Sequence, residues 1–108
     1  MNVITFEEFK KLDIRVGKIL SAERVAGSNK LIRLEIDIGT EKRQIIAGIA
    51  EYYEPKELIS KNFVIMANLE PKKLMGLESQ GMILCAEVNG EPICLTPLKE
   101  VPPGSKVL

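Results

Sequence analysis

Short runs of apolar residues alternate with polar turns along the chain, and their spacing predicts a small all-β domain. The clearest run, residues 31–38, places Ile32, Leu34, Ile36 and Ile38 at every second position, as in a strand with one buried face. Four further runs of strand length lie at residues 13–25, 43–48, 63–67 and 82–88. The pattern therefore predicts five strands.

Two short helices are predicted outside these strands. Thr5 and Glu8 have the spacing of a capping box, which predicts a helix that ends at about Leu12. Pro55 suits the first position of a second helix, over residues 55–59. Gly17 lies inside the first strand run, where a glycine often marks a bulge or a bend.

Asn89-Gly90 is a strong signal for a β-hairpin with a type I′ turn. With these two turn residues, Cys85 faces Cys94 on a non-hydrogen-bonded pair, within the Cα separation of a disulfide. A cytosolic setting favours free thiols, so the sequence leaves open whether the bond forms.

The order of the elements predicts a five-stranded OB-fold barrel with a short N-terminal helix and a C-terminal extension. Three strands, a short helix and two strands follow one another in that order. We expect one domain, with its core at about residues 13–88 and with flanking segments 1–12 and 89–108. Barrels of this class bind nucleic acid across strands two and three and with the loops after strands one and four. Here those loops are residues 26–30 and the polar segment 69–80.

Composition narrows the chemistry of this domain. Basic and acidic residues number 15 each, so the net charge is zero, which counts against a strongly cationic nucleic-acid binder but allows one basic face. Without histidine and with only two cysteines, the chain offers no predicted metal site, cofactor site or catalytic centre. No apolar stretch approaches the ~20 residues of a membrane span, and no signal peptide is recognised, so we expect a cytoplasmic protein.

Several separated blocks resemble the tRNA-binding domain appended to methionyl-tRNA synthetases. They are residues 13–19, Ser28-Asn29-Lys30-Leu31, residues 43–49, and Asn68-Leu69, Pro71-Lys72-Lys73, Gly76 and Ser79-Gln80-Gly81-Met82. The blocks follow in the family's order over nearly the whole chain. One departure is Ala26-Gly27, where the family usually has His-Pro, so a contact through that histidine does not carry over.

The resemblance implies an OB-fold that binds tRNA by shape, at the outer corner where the D and T loops meet. The family occurs as an appended domain, as a free-standing protein and in eukaryotic synthetase cofactors. The sequence leaves open which of these the chain is, and whether a methionyl-tRNA synthetase catalytic chain is its partner. Three Phe, two Tyr and no Trp provide no aromatic ladder for single-stranded bases, which favours a folded RNA.

The resemblance and the OB-fold order together predict the tRNA-binding side chains. They are Lys30, Arg33, Asn68, Lys72, Lys73, Ser79, Gln80 and Met82. The cations are interpreted as phosphate contacts, with solvated surface charges as the alternative. Ser79 and Met82 are assigned a ribose or base-edge contact and an apolar contact, with turn capping and strand core as alternatives. Asn68 is expected to hold the loop backbone in place rather than to contact RNA. The loop itself is expected to lie outside the core.

Apolar residues outside the predicted barrel indicate a homodimer, which the resemblance also implies. The predicted interface residues are Phe6, Phe9, Ile93, Leu95, Leu98 and Val101. The predicted function is non-catalytic tRNA binding that enhances tRNA capture by methionyl-tRNA synthetase. The alternative is a free-standing dimeric polypeptide-binding protein with chaperone-like action.

Overall fold

The computed structural model describes residues 1–108 and contains one barrel with two attached hairpins. The barrel strands are β1 (Ile14–Arg24), β2 (Ile32–Asp37), β3 (Lys42–Ala47), β4 (Asn62–Met66) and, after the first hairpin, β7 (Met82–Ile83). The hairpins are β5 (Lys72–Leu74) with β6 (Leu77–Ser79), and β8 (Cys85–Val88) with β9 (Glu91–Cys94). The helices are α1 (Phe6–Lys10) and α2 (Pro55–Leu58). Neither helix has the length and apolar character needed to cross a membrane.

The five barrel strands form one antiparallel sheet in the order β3-β2-β1-β4-β7, which confirms the predicted OB-fold. The sheet curls until β3 meets the chain just before β7, where Gln80 N donates to Gln44 O at 2.7 Å. The side chains of Ile32, Leu34 and Ile36 fill the interior, as the alternation in β2 predicted. Leu58 of α2 covers one end of this core.

The irregularity in β1 lies at Leu20 and not at Gly17. Ile19 faces Ile36 and Ser21 faces Glu35, so Leu20 is the extra residue of a β-bulge. The bulge explains why the apolar pattern of β1 changes phase near Ile19. Gly17 has a different role, because a Cβ there would collide with the Ile36 side chain in the core.

The segment 69–80, predicted to be an irregular loop, contains the hairpin β5–β6. Its turn residues Met75 and Gly76 have φ values of 53° and 78°, both in the left-handed region. Methionine is uncommon there, since its Cβ crowds the backbone. The turn therefore lacks the Asn-Gly signal by which hairpins are usually recognised in a sequence.

The two ends of the chain attach to the barrel from outside. The capping box is confirmed, because Thr5 Oγ1 accepts from Glu8 N at 3.1 Å and Glu8 Oε1 accepts from Thr5 N at 3.1 Å. The helix ends at Lys10, two residues earlier than predicted. The C-terminal tail returns to β1, where Val16 N donates to Ser105 O at 2.9 Å and Val107 N to Ile14 O at 2.8 Å.

The second hairpin confirms the predicted turn and register. Asn89 and Gly90 have φ values of 50° and 85°, as a type I′ turn requires. Cys85 faces Cys94, and their Sγ atoms are 3.8 Å apart as free thiols. The strand predicted over residues 82–88 is interrupted at Leu84, so its second half pairs with β9 and not with the barrel.

Candidate nucleic-acid interface

A groove lies between the β5–β6 hairpin and the sheet formed by β1, β2 and β3. Its lining residues are Glu23, Arg24, Val25, Ala26, Arg33, Gln44, Met75 and Leu77. Met75 at the hairpin tip reaches the β1–β2 turn, since a Cβ built on Gly27 would lie 3.4 Å from Met75 Cε. We call this the hairpin groove. It lies where OB-folds use strands two and three and the loops after strands one and four.

Two arginines line the hairpin groove, but Arg33 lies on the outer face of the sheet with Glu23, whereas the side chain of Arg24, opposite the buried Ile32, points to the other face. Arg33 Nη1 lies 2.6 Å from Glu23 Oε1, and its Nε donates to Gln44 Oε1 at 2.7 Å. Arg24 donates to the carbonyl of Ala50 at 2.9 Å and pairs with Glu54 at 3.3 Å. The arginines are therefore fixed in orientation, and their charges are partly neutralised before any ligand binds.

The two predicted lysines of the hairpin lie on opposite faces of it. Lys72 is paired with Ser79, and Lys73 with Glu78. Successive strand residues point to opposite sides, so Lys72 shares a face with Leu77, which lines the groove. Lys73 shares the other face with Glu78. Both lysines are exposed.

Ser79 and Gln80 close the barrel beside the hairpin. Ser79 is only 5% exposed, and its Oγ accepts from Ile46 N at 3.0 Å and donates to Gly81 O at 3.1 Å. Gln80 Oε1 accepts from Gln44 N at 3.1 Å. The expectation that Ser79 lies outside the core is wrong, because its hydroxyl satisfies a backbone amide of β3.

Asn68 holds the base of the hairpin segment. Its Oδ1 accepts from Asp13 N at 2.8 Å, and its Nδ2 donates to Lys11 O at 2.7 Å. Both polar ends of the side chain are therefore engaged by the backbone, in agreement with the interpretation that Asn68 pins the loop. Lys30 is exposed in the β1–β2 turn but does not line the groove, and its carbonyl accepts from Ala50 N at 3.0 Å.

Met82 lines a second groove, on the side of β7 and β8. This groove has a volume of about 520 Å³, and Met82 and Tyr52 are the large exposed side chains along it, 47% and 46% exposed. Glu51 and Glu87 add acidic side chains to its lining. The structure thus separates Met82 from Arg33, which lies in the hairpin groove.

The residues predicted to form a dimer interface lie at the surface. Phe6 is 71% exposed and Leu98 is fully exposed, while Ile93 and Leu95 are each 41% exposed. Phe9 and Val101 are partly buried. The Phe6 and Phe9 rings stack with their centroids 6.4 Å apart.

Four side chains have a shifted pKa and none lines the hairpin groove; Asp13 and Cys85 show the main causes. The Arg15 guanidinium, 2.8 Å from Asp13 Oδ1, lowers the pKa of that carboxyl group. Burial, and then the neighbouring Cys94, raise the pKa of the Cys85 thiol to about 12. The first shift belongs to the ion pair of Asp13 with Arg15, and the second keeps the thiol protonated into the alkaline range.

Sequence reasoning missed four groove residues: Glu23, Arg24, Gln44 and Met75. Glu23 and Gln44 could have been predicted, because Glu23 lies opposite Arg33 and Gln44 lies opposite Glu35, which is on the same face of β2, whereas Arg24 lies opposite the buried Ile32. Met75 could be found only from the fold of the hairpin.

The barrel, with a hairpin inserted before its last strand, defines an OB-fold. Residues 14–106 match the family model "Putative tRNA binding domain". The chain therefore belongs to this tRNA-binding domain family.

Sequence relatives of the chain are methionine–tRNA ligases. The chain is 58% identical over 102 residues to the ligase of Methanothrix thermoacetophila and 56% identical over 106 residues to that of Thermotoga maritima. These matches cover 94% and 98% of the chain but only 15% and 17% of the ligases. The chain thus spans about one sixth of the length of these relatives.

Solved structures of smaller proteins match over the full chain. The MetRS related protein from Pyrococcus horikoshii has a TM-score of 0.94 at 40% identity, with all of each chain covered. The chaperone CsaA from Bacillus anthracis has a TM-score of 0.89 at 34% identity, over 99% of this chain and 100% of that one. The fold thus occurs both as part of long ligases and as short chains of about this size.

Proposed function

We propose that the chain binds tRNA by its folded shape and thereby enhances tRNA capture by methionyl-tRNA synthetase. The observation that carries this proposal is the hairpin groove, in which Arg33 lies between two loops of a tRNA-binding family fold. The groove offers the guanidinium group of Arg33, which matches phosphate geometry. Lys72 lies on the same face of the hairpin as Leu77, which lines the groove, and it extends the cationic surface along β5.

The positions of the aromatic residues favour a folded RNA over a single strand. Phe63 is buried in the core, and Tyr53 donates through its hydroxyl to Pro92 O at 3.0 Å. Phe6 and Phe9 belong to α1, which lines neither the hairpin groove nor the second groove. Tyr52 is the one exposed ring beside these two grooves, so bases bound there would find almost no stacking platform.

The role toward the synthetase is that of an accessory domain without catalytic residues, in the cytoplasm. The chain would supply affinity for the outer corner of tRNA, where the D and T loops meet, while the ligase supplies the reaction. Support comes from the ligase relatives, in which this domain is one part of a longer chain. The proposed role holds whether the domain is appended to the synthetase or acts beside it.

The proposal includes a homodimer formed through α1 and the C-terminal segments. Phe6 and Leu98 expose large apolar surfaces on elements that lie outside the barrel. Two-fold pairing would bury them, and closed two-fold dimers are the commonest assembly of soluble proteins. A dimer would also present two hairpin grooves to RNA.

A second candidate function is the binding of unfolded polypeptide. It is supported by the two CsaA chaperones, from Bacillus anthracis and Picrophilus torridus, which the chain matches at TM-scores of 0.89. The second groove, with Met82, Tyr52 and two carboxylates, provides an apolar and acidic surface that suits a basic peptide better than a phosphate chain. If tRNA and an unfolded polypeptide compete for the chain, they share one site. If both bind at once, the chain has two sites.

The decisive experiment compares bulk tRNA with a single-stranded oligonucleotide of equal length, each at two salt concentrations. Tight binding of tRNA with weak binding of the oligonucleotide is the expected result. The dependence on salt should be shallow, because each phosphate contact contributes a slope of roughly 0.7–0.9 and few cations face the groove. Equal binding of both ligands would contradict recognition of shape.

A further inference from the structure

One arginine joins both ends of the segment that carries the β5–β6 hairpin. Arg43 Nη1 donates to the carbonyl of Ala67 at 2.7 Å and to the carbonyl of Gln80 at 3.1 Å. Ala67 and Gln80 directly flank the segment 68–79, which contains the whole hairpin. A single guanidinium group therefore bonds both to the residue before the hairpin segment and to the residue after it.

We propose that Arg43 is a positioning residue for tRNA binding, which sets the orientation of the hairpin and thereby the width of the hairpin groove. The inference rests on the proposed function, because it takes the hairpin groove as the tRNA site. Arg43 does not line the groove, so it acts through the hairpin and not on the RNA.

The chemistry of the site requires an arginine. A guanidinium group is planar and carries five donors in a fixed geometry, so it can serve two carbonyls and a carboxylate at once. Arg43 uses this capacity fully, since its Nη2 also pairs with Glu41 Oε1 at 3.1 Å. Its side chain is only 22% exposed, which reduces competition from water for these bonds.

The pairing of Met66 with Met82 joins β4 to β7 at the base of the hairpin segment, whereas the other side-chain bonds there each hold one end only. Asn68 holds the outgoing end to Asp13 and Lys11, while Ser79 holds the returning end to Ile46. Loss of Arg43 would leave the two ends joined through this strand pairing but without the guanidinium group that links the carbonyls of Ala67 and Gln80, next to the hairpin. The hairpin would then change its angle over the sheet while the barrel stays folded.

The contact between Met75 and Gly27 reports the position of the hairpin. The Met75 methyl group lies over Gly27 at the far side of the groove. The chain has four methionines, so a sample labelled with ¹³C at the methionine methyl groups gives a simple NMR spectrum. A nuclear Overhauser effect between the Met75 methyl and the Gly27 α-protons therefore measures closure of the groove without any ligand.

The experiment measures this contact and tRNA affinity for Arg43→Gln and Arg43→Lys. Arg43→Gln should lose the contact and bind tRNA roughly tenfold more weakly, since a competent fraction reduced to one tenth weakens affinity by that factor. The salt slope should stay unchanged, because no phosphate contact is removed. Arg43→Lys should be intermediate in both the methyl contact and the tRNA affinity. It provides a second test of the inference if Arg43→Gln does not fold.

Two control variants separate positioning from other effects. Glu41→Gln removes the ion pair of Arg43 but leaves both carbonyl bonds, so it should retain the methyl contact and the affinity. Ile19→Val mildly truncates the core near α2, where Ser60 N donates to Ile19 O, and should lower stability without moving the hairpin.

The outcomes distinguish this inference from the proposed function. Loss of the methyl contact together with weaker tRNA binding supports the positioning role. The inference is overturned if Arg43→Gln retains the methyl contact, or if it loses the contact but binds tRNA with unchanged affinity. In both cases the parent still binds tRNA, so the proposed function stands. Absence of tRNA binding by the parent overturns the proposed function, and this inference with it.

Discussion

Glu23 holds the cation of Arg33 in the hairpin groove, with 2.6 Å between Glu23 Oε1 and Arg33 Nη1. The two residues face each other across β1 and β2, and both line the groove. An RNA phosphate that approaches Arg33 must therefore compete with a carboxylate already in place. In this pair an acidic side chain partly neutralises the positive charge of the groove, within a chain whose net charge is zero.

Replacing Glu23 with glutamine should strengthen tRNA binding. The change frees Arg33 and removes a negative charge from the groove, so the salt slope should steepen by up to about one unit. Affinity measured across a salt series checks this expectation. Glu100→Gln makes the same change in net charge at an exposed position outside the groove and serves as the control. Equal effects of both variants would mean that only net charge matters.

Replacing Lys72 with alanine should weaken the binding of all tRNAs, whereas Lys73→Ala should have a smaller effect. The sequence predicted equal roles, but the two side chains lie on opposite faces of the hairpin. Only Lys72 shares the face of Leu77, so its loss should lower the salt slope by roughly one unit. Filter binding at several salt concentrations measures both variants. A larger loss for Lys73→Ala would place the RNA on the outer face.

Replacing Ser79 with alanine should destabilise the protein. The change leaves Ile46 N without its acceptor in a buried position, which costs about 1–3 kcal/mol. Urea denaturation of Ser79→Ala measures the loss, with the exposed Ser21→Ala as the control. Unchanged stability together with weaker tRNA binding would restore the interpretation of Ser79 as a direct RNA contact.

The Cys85 thiol should make stability fall at alkaline pH. Its pKa is raised from 9.0 to about 12 in the folded chain, chiefly by burial. The unfolded chain loses the proton first, so the contribution is present below about pH 9 and is lost as the pH rises toward 12. Urea denaturation at about pH 8 and about pH 10.5 should show a larger loss for the parent than for Cys85→Ala. Identical losses would show that other groups cause the decline.

Sedimentation should show a species of twice the 12.0 kDa chain mass at micromolar concentration. Leu98→Glu should shift it toward the monomer, because a charge would be buried in the proposed interface. Leu69→Glu places the same charge at a half-exposed apolar residue near the hairpin and should leave the dimer intact. A parent that sediments as a monomer would refute the proposed homodimer.

The sequence predicted the barrel well because its strands obey local rules. Alternation in β2 marked its buried face, and the order of strands and short helices indicated the OB-fold. Asn89-Gly90 and the capping box of Thr5 and Glu8 were confirmed, since both depend on residues close together in the chain. The facing of Cys85 and Cys94 followed from the turn by counting.

The candidate site was predicted less well because it depends on which surfaces meet. Arg33 and Lys72 have places on or beside the hairpin groove, whereas Ser79 is buried and Met82 belongs to a second groove. The hairpin itself was missed, because its strands have three residues each and its turn lacks Asn-Gly. Such short strands are stable only by packing against the barrel.

The sequence by itself determined the strands, the second hairpin, the helix cap and the family, because periodicity, turn chemistry and motif order are properties of neighbouring residues. Only the tertiary structure decided that Arg33 is paired with Glu23, that Lys72 and Lys73 diverge, and that Arg43 joins Ala67 to Gln80. The first two depend on which residues face each other across β1 and β2 and across β5 and β6. The Arg43 bonds join strands distant in the chain, so closure of the barrel, and not any local preference, creates them.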